Sequence, residues 1–168
     1  MSEEPSSPAP EGPEERLRKL AADKSYLQLL IHMINRVSSL PGLENTVQNL
    51  LSAVADSIGG TNAILYYLRE GEWLRVADLY GRREEIREID DPLVAAVFQN
   101  RAFVERADDF SRTLMETEEF GKAYTWAFPL TVGEDLVGVF KLENLHIGSA
   151  PWLEHLTTFF HFAALALN

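Results

Sequence analysis

The sequence predicts an α+β domain, with a central antiparallel sheet, terminal helices on one face, and a short helix plus loops on the other. Three observations carry this expectation. Two amphipathic helical stretches open the chain, at residues 14–38 and 43–58. Short strand-like runs follow, several joined by tight turns, which is the pattern of antiparallel hairpins. One further apolar helical stretch closes the sequence after Ser149. Helices at both ends of a run of hairpins segregate onto one side of the sheet they cover.

In the first helix Leu17, Leu20, Leu27, Ile31 and Ile34 fall on heptad a and d positions, with Lys24 at the one polar a position. Leu29, Leu30, Met33 and Val37 add apolar side chains on other faces, more than one docking stripe requires. This helix is therefore expected to serve two partners, its own domain and a second subunit. Pro41-Gly42 breaks the chain. Leu43, Val47, Leu50, Leu51, Val54 and Ile58 then define a second helix, which Gly59-Gly60 terminate. Residues 61–68 and 73–80 read as a hairpin turning at 70–72. Residues 81–91 read as a charged loop, 92–100 as a short helix and 103–105 as a short strand. Residues 106–122 look acidic and aperiodic, with a helical turn near 114–120. Residues 126–130 and 136–142 are the last two strands. The final helix is expected to be capped at Ser149, with Pro151 in its first turn. Its apolar faces carry Trp152, Leu156, Phe159, Phe160, Ala163 and Leu167, then Leu153, Phe162 and Leu165.

Composition narrows the function. The chain has 168 residues and no cysteine, so disulfides, thiolate catalysis and cysteine-based zinc sites are excluded. Its net charge of −11 is uneven: residues 1–15 carry five acids and no base, and the remaining 21 acids and 15 bases leave −6. Such a surface repels nucleic acid, and no partner of that kind is expected. The mixed run Arg82-Arg83 with Glu84, Glu85, Arg87 and Glu88 reads as a solvated face. No apolar run is long enough to span a bilayer, and the Pro-, Ser- and Glu-rich residues 1–13 are not a signal peptide. They read as a disordered linker or terminal extension to a single domain over 14–168.

Phe128-Pro129-Leu130, Gly133, Val137-Gly138-Val139 and the closing Ala163-Ala-Leu-Ala-Leu-Asn168 resemble the signature end of a GAF domain, a sensory module of signalling proteins. Residues 61–68, Leu79-Tyr80-Gly81 and the stretch from Pro92 to Val104 resemble earlier landmarks, so the likeness spans roughly residues 25–168. The two helices before the first strand favour this over a PAS-type fold. The cyclic-nucleotide-binding members carry an Asn-Lys…Phe…Asp-Glu pattern, and here Asn144 is followed by Leu145, so that ligand is not expected. Bilin-attaching and methionine-sulfoxide-reducing members need a cysteine, which this chain lacks.

The resemblance implies a pocket on the sheet face opposite the terminal helices. Its candidate residues are Tyr66, Tyr80, Arg101, Phe103, Glu105, Trp126, Phe128, Lys141 and Glu143, apolar walls with a few polar anchors. Leu20, Leu27, Ile31, Ile34, Phe162 and Leu165 are the candidate dimer interface. His32, His146, His155 and His161 show no ligand spacing on one helix face. The paired acids Asp90-Asp91, Asp108-Asp109 and Glu118-Glu119 read as loop charges. No catalytic motif is present, and no metal or cofactor is expected. The expected function is that of a cytoplasmic, non-catalytic, small-molecule-sensing domain of a larger signalling protein such as a sensor histidine kinase. Its partners are an unidentified small molecule and a second copy of the chain, with no membrane insertion. A ligandless dimerisation module is the alternative.

Overall fold

The computed structural model describes residues 9–69, 73–109, 122–146 and 152–168. The elements run α1 (Pro13–Val37), α2 (Leu43–Ile58), β1 (Asn62–Arg69), β2 (Trp73–Asp78), β3 (Arg83–Glu85), α3 (Pro92–Asn100), β4 (Val104–Asp109), β5 (Lys122–Val132), β6 (Asp135–Leu145) and α4 (Leu153–Leu167). The six strands form one sheet in the order β3-β2-β1-β6-β5-β4, antiparallel throughout.

Strand alternation sorts the side chains onto two faces. One face carries Ala63, Leu65 and Tyr67 of β1, Trp126, Phe128 and Leu130 of β5, and Phe140 and Leu142 of β6. These meet Leu50, Leu51 and Val54 of α2 and Leu156, Phe159, Phe160 and Ala163 of α4. Aromatic rings bridge the layers: Phe160 lies 4.6 Å from Phe128, 5.0 Å from Phe140 and 5.3 Å from Phe159. α1 packs chiefly on α2 and α4 as an outer layer and buries Met33 and Val37. Near its middle, Tyr26 meets Trp152 edge-on and stacks on His155, both at 4.7 Å.

The other face is thinner. Ile64, Tyr66, Val76, Ala127 and Val139 meet Leu93, Val94 and Val97 of α3. α3 follows from local sequence: Asp91 caps it by accepting hydrogen bonds from the backbone N–H of Leu93 (2.9 Å) and Val94 (3.3 Å), and Pro92 occupies the first turn. Arg101 closes it with a left-handed backbone, φ 53°.

Two glycines are required by geometry. A Cβ at Gly138 would stand 2.4 Å from the Tyr66 carbonyl oxygen, so β1 and β6 can approach only without one. Gly60 has φ +100°, and a Cβ there would stand 2.7 Å from the Glu143 carbonyl oxygen.

Several element boundaries depart from expectation. Residues 83–85, read as loop, form the edge strand β3. Residues 106–109 extend β4 rather than belonging to an aperiodic loop. β5 and β6 are longer than 126–130 and 136–142 because each continues past its apolar stretch, and they turn tightly at Gly133-Glu134. The expected turn at 70–72, helical turn at 114–120 and cap at Ser149 with Pro151 lie outside the described residues.

Candidate functional site

On the thinner face a cleft of about 450 Å³ opens between the sheet and the segment leading into α3. It is lined by Tyr66, Arg82, Ile86, Glu88, Asp90, Asp91, Pro92, Arg106 and Lys141. β1 contributes Tyr66 and β6 contributes Lys141, while the β2–β3 connection brings Arg82. The Asp78 carboxylate orders that connection by accepting from the backbone N–H of Tyr80 (2.8 Å) and Arg82 (3.0 Å).

The charged centre is the pair Lys141–Asp91. The Lys141 ammonium hydrogen-bonds the second oxygen of the Asp91 carboxylate and lies 3.4 Å from Glu143 Oε1. Asp91 thus joins β6 to the first turn of α3. Burial pushes the Asp91 carboxyl up, but the hydrogen bond and charge of Lys141, with the two α3 amides, outweigh it and hold it below the ordinary value. Burial pulls Lys141 down, but Asp91 and Glu143 outweigh it and hold the ammonium above its ordinary value. At neutral pH both groups are charged. Burial, reinforced by the Asp91 charge, pushes the Tyr66 phenol up, so it is a neutral donor.

Among the described residues, Tyr66 and Asn62 each bring an unmatched polar atom to this face. The Tyr66 hydroxyl has no hydrogen-bond partner among the described residues. Asn62, two residues before Ile64 on β1 and so on the same face, carries a buried Oδ1 without a partner. A buried acceptor left unpaired is costly.

The structure separates the nine pocket candidates. Tyr66 and Lys141 line the cleft, and Glu143 reaches its edge through Lys141. Trp126 and Phe128 do not face it. They point the other way, into the helix-packed core, with 0% and 2% exposure. Glu105 goes with them, accepting the Trp126 indole N–H at 2.7 Å. Tyr80 is exposed, and its hydroxyl donates to the Thr61 carbonyl at 2.7 Å. Arg101 and Phe103 border a second cavity of about 250 Å³ on the helix face, together with Phe128, Pro129, Thr131, Thr157, Phe160 and His161.

Asp91, Arg82, Arg106 and Asn62 belong to the cleft face and were not among the candidates. Asp91 carried a readable signal, since an Asp-Pro pair ahead of an apolar run marks a helix start. The others depend on strand register. Arg83, from the same basic run, instead donates to Gln48 Oε1 at 2.6 Å and ties the sheet edge to α2.

Of the dimer candidates, Leu20, Leu27, Ile31 and Leu165 are exposed, as is Leu17, whereas Ile34 and Phe162 pack partly against the core. Among the described residues no cluster of three or more His, Asp or Glu side chains is arranged to hold a metal. Nor, among them, is any helix long and apolar enough to cross a membrane.

No protein-family model matches the sequence, and no curated protein matches it. Solved structures do. The GAF domain of A. aeolicus nlh2 in an inactive state superposes with a TM-score of 0.64 at 13% identity, covering 86% of this chain and 96% of that one. The GAF domain of an Acinetobacter phosphoenolpyruvate-protein phosphotransferase gives 0.63 at 17% identity, covering 84% and 91%. The free methionine-R-sulfoxide reductase of Neisseria meningitidis, in complex with its substrate, gives 0.63 at 11% identity, covering 84% and 87%. The chain has the GAF fold.

Proposed function

We propose that this GAF-fold chain is a non-catalytic domain that senses a small molecule in the charged cleft and relays occupancy through its terminal helices. The observation that carries the reading is the cleft itself. It is built over the thinner sheet face, with an unpartnered Tyr66 hydroxyl beside a structural ion pair. Charged side chains converge on it beside the smaller apolar surface of Tyr66, Ile86 and Pro92, and a concave site with placed polar groups is the form of a small-molecule site. The relay follows from Asp91. A ligand that draws Lys141 away would weaken the cap that holds α3 against the sheet, and α2 and α4 lie on the sheet's far side. Residues 14–168 act as one such domain, in the cytoplasm, within a larger signalling protein such as a sensor histidine kinase.

The reductase among the structural neighbours raises catalysis as a rival. The absence of cysteine removes a thiolate nucleophile. A ligandless dimerisation module is the second reading, and a specific observation favours it: Leu17, Leu20, Leu27 and Ile31 make an exposed apolar stripe along α1, with Leu165 exposed on α4. The two readings share this homodimer surface and differ in whether the cleft is occupied.

Native mass spectrometry of gently purified protein separates them. A dimer with an added small mass that disappears in Lys141→Met supports the sensor. A dimer without adduct, even after incubation with a metabolite library, favours the dimerisation module. Ile31→Glu and Leu165→Glu are expected to yield folded monomer. If both remain dimeric, the helical interface is wrong.

A further inference from the structure

Residues 101–103 lead from α3 on the thinner face into the edge strand β4, whose described pairing covers only part of β5. β4 begins at Val104, opposite Ala127, so residues 128–132 of β5 have no described strand on their outer side. Pro129 lies on this stretch, where a missing N–H forfeits no ladder bond. Behind the edge lies the 250 Å³ cavity, on the opposite face of the sheet from the charged cleft. Phe103, Phe128 and Phe160 form its apolar wall, with ring centroids 4.6 Å apart in each successive pair.

Its charge contrasts with the rest of the molecule. The chain carries −11 overall, yet among the described residues no acidic side chain lines this cavity, while Arg101 and His161 do. One guanidinium nitrogen of Arg101 donates to the Glu134 carbonyl, which anchors the side chain across the mouth. Its remaining N–H groups have no partner among the described residues. Arginine keeps its charge at any physiological pH and offers its donors in a planar fork matched to a carboxylate. The volume falls below the roughly 300–1,000 Å³ of drug-sized sites, so it suits a single ring or short branched chain.

We propose that this cavity is a second binding site, for a small apolar carboxylate. The ring or alkyl group packs against the partly exposed Phe103 and Pro129, with the nearly sealed Phe128 and Phe160 rings behind them, and the carboxylate accepts hydrogen bonds from Arg101. The site is independent of the charged cleft and stands or falls separately from the sensing role assigned to it.

The test titrates the whole chain with 4-fluorophenylacetate and follows fluorine NMR shifts and line widths. Saturable binding is expected, weakened about tenfold in Arg101→Gln through loss of the charged hydrogen bond. The neutral 4-fluorophenylacetamide is expected to bind more weakly by a similar factor. Thr157→Trp, on the exposed side of α4, should abolish binding by filling the mouth, and Ile86→Trp, which blocks the charged cleft, should leave it unchanged. The proposal is overturned if the probe does not saturate, or if acid and amide bind alike. It is equally overturned if folded Arg101→Gln and Thr157→Trp both retain full affinity, or if Ile86→Trp removes binding.

Discussion

The two faces of the sheet do different work with neighbouring residues of the same strands. On β1, Leu65 and Tyr67 are sealed beneath α2 and α4, while Tyr66 between them borders a charged cleft. On β6, Phe140 and Leu142 are fully buried in the helix-packed core, and Lys141 between them holds Asp91. One face concentrates large aromatic burial, worth about 1.5–3 kcal/mol for each fully buried side chain. The other spends its central position on an ion pair, which returns little net stability because desolvation opposes the attraction. A face that contributes less to stability is free to keep open volume and polar groups for a ligand, and stability and recognition are thereby divided across a single sheet.

The largest expected effect breaks the stabilising face. Phe160→Ala removes a ring 1% exposed that touches Phe128, Phe140 and Phe159. It should cost about 3–5 kcal/mol in urea-monitored unfolding. A loss below about 1 kcal/mol would mean that this core repacks freely and that the two faces are not so different.

An intermediate effect is expected from the ion pair. Lys141→Met leaves the half-buried Asp91 without its counter-charge and should cost about 1–3 kcal/mol near neutral pH. The pH dependence has a definite sign. Asp91 lies lower in the folded state than in the unfolded chain, so its contribution is present above the ordinary aspartate value and is lost as pH falls through the folded one. Lys141 lies higher when folded, so its contribution is present below the ordinary lysine value and is lost as pH rises through the folded one. The stability gap between the parent chain and Lys141→Met should therefore narrow at both extremes. A gap independent of pH would show that the methionine acts through packing alone.

The smallest effect sharpens the contrast. Tyr66→Phe deletes a hydroxyl that has no described partner, so unfolding stability should change by less than about 0.5 kcal/mol. Ligand retention in the native mass spectrum should fall. A destabilisation comparable to that of Phe160→Ala would make Tyr66 a core residue like its neighbour Tyr67.

Much of the architecture was legible because it rests on local periodicity. The 3.6-residue spacing of Val47, Leu50, Leu51 and Val54 marks α2, and all four are buried. The turn chemistry around Gly133 marks the β5–β6 hairpin. β3 was not legible, because Arg83, Glu84 and Glu85 carry no apolar signal. It exists as an edge strand because β2 offers a free ladder and charged residues suit an edge. The site was legible only in part. Of the candidates, Tyr66 and Lys141 line the cleft, while Trp126 and Phe128 face the helix-packed core. A single-residue offset in a strand exchanges the faces, and the irregular register between Tyr124 and Trp126 makes that offset unreadable from the sequence.

The sequence by itself determined the helices, the hairpins, the missing thiol chemistry and the fold class, because each follows from spacing or composition along the chain. Tertiary structure alone decided that Asp91 meets Lys141 across 50 positions, that Trp126 turns inward toward Glu105's side of the sheet, and that Arg101 stands over a second cavity. Those pairings depend on strand register and on where the chain rounds the sheet edge. Both are set by the packing of the whole molecule rather than by any short segment.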